Sequence, residues 1–217
     1  MTIQKMCFAV AVNAAIVLVA HAAGPAPAAL DKAAAAASQS SFRDEGIVKT
    51  SVLDTDKTNK ECSTADVRGK PLDKKVAKAI EAFNLKTIQL PPDGTYLGDW
   101  KEGEKIAQSG RGLTFTDDAK TVNGGNCYNC HQIDKKEISF GTIGPSLHNY
   151  GKLRGVTDLA SPAAKPIVDY TWGKIWNAKA YNACSNMPRA GHMGILTASQ
   201  IADVMALLLD PQSPVNQ

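Results

Sequence analysis

Past its N-terminal stretch the chain has no apolar run long enough to cross a membrane, which takes about 20 residues, so a soluble mature protein is expected. It has no internal repeat, which excludes a solenoid or propeller, and no strand-rich region. It has no large excess of charge of either sign: the formal net charge is +3, and a near-neutral balance gives no case for nucleic-acid binding. Cysteine is scarce, with five in the chain and only one C-x-x-C pair. There is no second C-x-x-C and no H-x-x-x-H, so a four-ligand zinc site lacks its other half. Strands and helices do not alternate, so a thioredoxin-like dithiol lacks its βαβ setting.

The N-terminus points to export. "MTIQK" carries one positive charge, and "CFAVAVNAAIVLVA" follows with a single polar residue, Asn13. Small residues at Ala20 and Ala22 then supply a cleavage pattern, so residues 1–22 read as a signal peptide. His21 and the Pro-rich "GPAPA" end the run too soon for an uncleaved anchor. Lys5 and Met6 stand where a lipobox before Cys7 would have small and apolar residues, so no lipid anchor is expected. Cys62, Cys127, Cys130 and Cys184 would then lie in the periplasm, an oxidising space where disulfides persist.

Residues 23–41 are Ala-rich and of low complexity, a mobile tether by composition. Residues 42–98 read as an extension with a short extended piece from Glu45 and one amphipathic helix over 70–84. Its stripe is Leu72, Val76, Ala79, Ile80 and Phe83. Residues 99–217 form the remaining domain. A helix starts near Lys101 and ends near Gly110 or Gly112, and another runs from about Pro166 to Lys179. A last one opens on Thr197 with Gln200 three residues on, a capping box, and carries Ile201, Val204, Met205 and Leu208 on one face. The fold class is all-α, with long loops.

"NCYNCHQ" contains Cys127-Tyr-Asn-Cys130-His131, the C-x-x-C-H of covalent haem attachment. Two thiols about one turn apart can add to the two vinyl groups along one side of the macrocycle. His131 then projects under the ring towards the iron. A buried haem also supplies the apolar body that so loop-rich a chain otherwise lacks. The sixth ligand should be Met or His. Met205 belongs to the apolar face of the last helix, and His148 lies on a turn-rich loop, where a solvated role is expected. Met187, His192 and Met193 remain. Met187 is favoured, because Pro188 pushes its backbone towards an extended conformation that can present sulfur across the ring; His192 and Met193 stay open.

"NCYNCHQ", "GTIGPSLHNYGKLRG" and "YNACSNMPRAGHMGILTASQIADVMALLLDPQSPVNQ" together resemble the SoxX family, monohaem subunits of the SoxXA cytochrome complex of bacterial thiosulfate oxidation. The resemblance implies a class I cytochrome c fold around one haem c. It assigns Cys127 and Cys130 to the thioethers, His131 to the proximal ligand and Met187 to the distal one. It also gives Pro145 the carbonyl that accepts a hydrogen bond from the proximal imidazole. The implied reaction joins thiosulfate oxidatively to a cysteine of the carrier SoxY. The partner SoxA would hold the catalytic haem, and this chain would pass electrons singly to a soluble cytochrome c, without catalysing alone. The alternative is a free periplasmic electron shuttle. Cys62 and Cys184, the leftover pair in an exported chain, are expected to form a disulfide.

Overall fold

Polar caps and apolar faces account for most of the helices in the computed structural model, which describes residues 27–54 and 56–217. The expected signal peptide lies outside the described residues. α1 (Pro27–Ser41) is an exposed helix and belongs to a unit spanning residues 1–42. Over these residues the segment read as a tether forms regular helix. Alanine has the highest helix propensity of all residues, and no apolar face is needed to express it.

Residues 43–217 make the second unit. Its only extended pairing among the described residues is an isolated bridge between Glu45 and Val48, followed by a 3₁₀ turn at Thr50–Leu53. The extension then holds two helices where one was expected. α2 (Lys57–Val67) is capped by Asp56, whose carboxylate accepts from the Asn59 N–H at 2.7 Å. Its polar sequence offers no apolar stripe, so periodicity does not reveal it. α3 (Lys74–Leu85) is capped by Asp73. Its packed face differs from the expected stripe: Phe83 is 66% exposed, whereas Asn84 is 1% exposed. Asn84 Oδ1 accepts from Asn177 Nδ2 at 2.9 Å, and a satisfied buried amide costs little.

α4 (Trp100–Gln108) and α7 (Ala198–Leu209) form the main helix pair. Gly103 permits their close approach: a Cβ there would stand 2.1 Å from the Asp203 carbonyl. The capping box at Thr197 and Gln200 is present, and Ile201, Val204, Met205 and Leu208 are all buried. α6 (Lys165–Trp176) runs beside α7 and ends three residues short of the expected Lys179, where a 3₁₀ turn at Ala178–Ala180 takes over. Trp172 and Trp176 stack at 6.0 Å, and their ring N–H groups donate to Gln89 O at 2.8 Å and Thr87 O at 3.1 Å. The extension therefore packs on α6 of its own chain.

The ending "DPQSPVNQ" folds back on the domain, with Ser213, Val215 and Asn216 buried. The Asn216 side chain accepts from the N–H groups of Gly151 and Lys152, at the start of the short helix α5 (Tyr150–Leu153). The same amide donates to Leu208 O and Asp210 O at the end of α7. One side chain thus satisfies free groups on two helices at once.

Candidate functional site

The Cys127–His131 segment is held on both sides by backbone bonds. Upstream, the Gly125 N–H donates to Ile106 O at 2.8 Å and the Asn126 N–H to Ser109 O at 2.9 Å, clipping the loop to the end of α4. The Gln200 amide donates to Asn123 O at 2.7 Å, so the capping residue of α7 also holds this loop. Asn126 takes a left-handed conformation, φ 49°, which Asn tolerates better than most residues. A 3₁₀ turn over Cys127–Asn129 follows, and the N–H groups of Cys130 and His131 both point back to Cys127 O. This turn places Cys127 at its first residue and Cys130 just past its end.

Tyr128, between the cysteines, is a residue that sequence reasoning passed over. It is buried, donates to Glu104 on α4 at 2.9 Å and accepts from the Asp134 N–H at 3.0 Å. Burial raises the Glu104 carboxyl above its ordinary range, against the lowering effect of the bonds from Tyr128 and Gln108. An x position in C-x-x-C carries no signal for such a role. Burial likewise pushes the Cys127 thiol up to about 12.

His131 Nδ1 lies 2.7 Å from Pro145 O. A carbonyl only accepts, so the proton sits on Nδ1 and the Nε2 lone pair is left for a metal. Gly144 backs the ring closely: a Cβ there would stand 2.2 Å from Cε1 of the imidazole. Gly144→Ala is expected to push the ring off its carbonyl and to destabilise the holoprotein by about 1–3 kcal/mol, the usual cost of overpacking. Urea unfolding together with the haem-to-protein ratio measures it, and an unchanged midpoint would count against the tight cradle.

Of the candidate sixth ligands, Met187 is half-buried and packs against the core that Cys127 also touches. Met205 is fully buried within α7, and Met193 is exposed. His192 is exposed on its loop, its backbone N–H donates to Trp176 O at 3.0 Å, and partial desolvation, then the Arg189 charge, lowers its pKa. His148, expected as a solvated loop residue, is half-buried with its Nδ1 buried and unpartnered. Cys62 on α2 and Cys184 form a disulfide. Among the described residues no three His, Cys, Asp or Glu side chains converge as a metal cage.

This donor set fits haem c: a pair of thiols in C-x-x-C-H order and an imidazole with its lone pair free and its ring cradled by Gly144. The family model for cytochrome c matches residues 101–210. The chain is also 36% identical over 169 residues to an uncharacterized lipoprotein of Aquifex aeolicus (strain VF5), covering 75% of this chain and 73% of that protein. The chain belongs to the cytochrome c family, with an all-α class I fold, covalently bound haem c and a role in electron transfer.

Proposed function

We propose that the chain is the monohaem subunit of a SoxXA-type complex. In this reading it carries away electrons released when thiosulfate is conjugated to a cysteine of the SoxY carrier. The observation that supports the reading is the set of segments that resemble the SoxX family, above all "GTIGPSL", "YGKLRG", "NMPR" and the ending "DPQSPVN". Three of them have a physical role in the structure. Pro145 bonds His131, and Asn216 joins the "YGKLRG" helix to α7.

Within this reading Cys127 and Cys130 hold the haem covalently. His131 and Met187 would bind its iron, and Pro145 would fix the imidazole through the 2.7 Å contact to Nδ1. The bound haem supplies one iron that passes between ferric and ferrous states. Pro145 holds the Nδ1 proton and so keeps Nε2 aimed and basic. Met187 offers a soft sulfur that favours the reduced state and raises the potential relative to a second imidazole. With His131 and Met187 both on the iron, no position would be left for substrate, so the sulfur chemistry would belong to the partner SoxA. Residues 42–98 serve as an extension and 99–217 as the cytochrome domain. In this reading the protein is periplasmic after cleavage, which the N-terminal sequence pattern supports. That the relative is by name a lipoprotein supports export, since lipoproteins are exported proteins.

Co-expression with a SoxA cytochrome and purification through a tag on this chain test the reading. The expected result is a heterodimer whose haem is reduced by thiosulfate when SoxY is present, and then oxidised by a soluble cytochrome c. A chain that elutes alone with one haem, unreduced under those conditions, would favour the free shuttle instead.

A further inference from the structure

The loop that carries Met187 has little structure of its own. Between α6 and α7 the only helical element is the 3₁₀ turn Ala178–Ala180. Met187 makes one local bond, from its N–H to Ser185 Oγ at 3.2 Å. Its position is instead bracketed by two ties to the extension. Cys184, three residues before it, is joined covalently to Cys62 on α2. Arg189, two residues after it, donates to Asp56 Oδ2 at 2.6 Å. The guanidinium side chain is only 13% exposed, so this pair is shielded as a surface ion pair is not. Two further bonds lie on the same side: the Ala183 N–H donates to Glu81 Oε1 at 3.2 Å, and the Lys179 ammonium to Asn59.

Asp56 divides its carboxylate between two tasks. Oδ1 caps α2 through the Asn59 N–H, and Oδ2 takes the guanidinium. The start of α2 and the loop beyond Met187 are thereby set by one side chain. Every tie comes from residues 56–81, outside the stretch that matches the family model.

We infer that the extension is a strap for the distal ligand, and that Arg189, Asp56 and the Cys62–Cys184 disulfide are positioning groups for Met187. They act on Met187 through the loop that carries it. They restrict the loop so that the thioether stays at the iron, where sulfur binds the harder ferric state weakly. The inference rests on the reading of Met187 as axial ligand.

Imidazole competition in the oxidised holoprotein tests it, followed by the sulfur-to-iron charge-transfer band at the red end of the spectrum. Asp56→Ser is the sharpest variant, because serine caps a helix as well as aspartate but cannot hold Arg189. Asp56→Ser, Arg189→Gln and the pair Cys62→Ser with Cys184→Ser should each bind imidazole more tightly, by about tenfold for the loss of one charged hydrogen bond. Arg189→Lys should restore most of the wild-type value, and far-UV circular dichroism should stay unchanged for Asp56→Ser. A merely structural role would lower the unfolding midpoint without moving the imidazole constant. If Asp56→Ser and the serine pair bind imidazole as the wild type does, the strap is refuted while the ligand assignment stands. If Met187→Ala keeps the band, the ligand assignment itself fails and the strap with it.

Discussion

Haem staining after denaturing electrophoresis should show no band for a chain carrying Cys127→Ala together with Cys130→Ala. Thioether bonds survive detergent, whereas an axial imidazole or thioether does not hold haem in an unfolded chain. The effect on folding should be nearly as large. The motif is tied to α4 through Tyr128 and Glu104, and to the loop at Gly144 through the Gly144 N–H on Cys130 O. The segments on either side, residues 109–126 and 132–149, contain no helix. A cofactor bound only to the native state stabilises it by mass action, and a covalent one cannot be diluted away. Without it the helical signal should fall and the protein should be lost to proteolysis during export. A band of full intensity from the double variant would reject covalent attachment at these residues.

Met187→Ala should lower the reduction potential by on the order of 0.1 V or more, within the roughly 0.8 V over which axial ligands set haem potentials. Alanine offers no soft donor for ferrous iron, and the sixth position opens to solvent or to a neighbour such as His192. The charge-transfer band of the oxidised protein should vanish. The fold should persist, since His131 and two thioethers still hold the haem and the Cys62–Cys184 bond still ties down the loop. Met193→Ala is the control: Met193 is exposed, and its loss should leave band and potential nearly unchanged. If Met193→Ala removes the band and Met187→Ala keeps it, the ligand lies six residues further on, and the positional match to the SoxX family fails there.

Short-range patterns were legible in the amino-acid sequence. C-x-x-C-H names its cofactor within five residues, because the chemistry needs those groups adjacent. α7 was readable from its cap and apolar face, since a 3.6-residue period and an N-cap are properties of a dozen neighbouring residues. The Cys62–Cys184 pairing followed from elimination among few cysteines rather than from any local signal. The structure alone decided what happens between distant positions. α2 is polar and shows no stripe, yet it is held in place by Asp56 and Cys62 through partners 133 and 122 positions away. α3 turns Asn84 inward and Phe83 outward, because a hydrogen bond to Asn177, 93 positions on, settles its rotation. Tyr128 and Glu104 meet for the same reason. A local pattern states which residues want burial or a cap. Only the closed chain brings up the partner that satisfies a buried amide, a guanidinium or a phenol, and an unsatisfied polar group is too costly to bury.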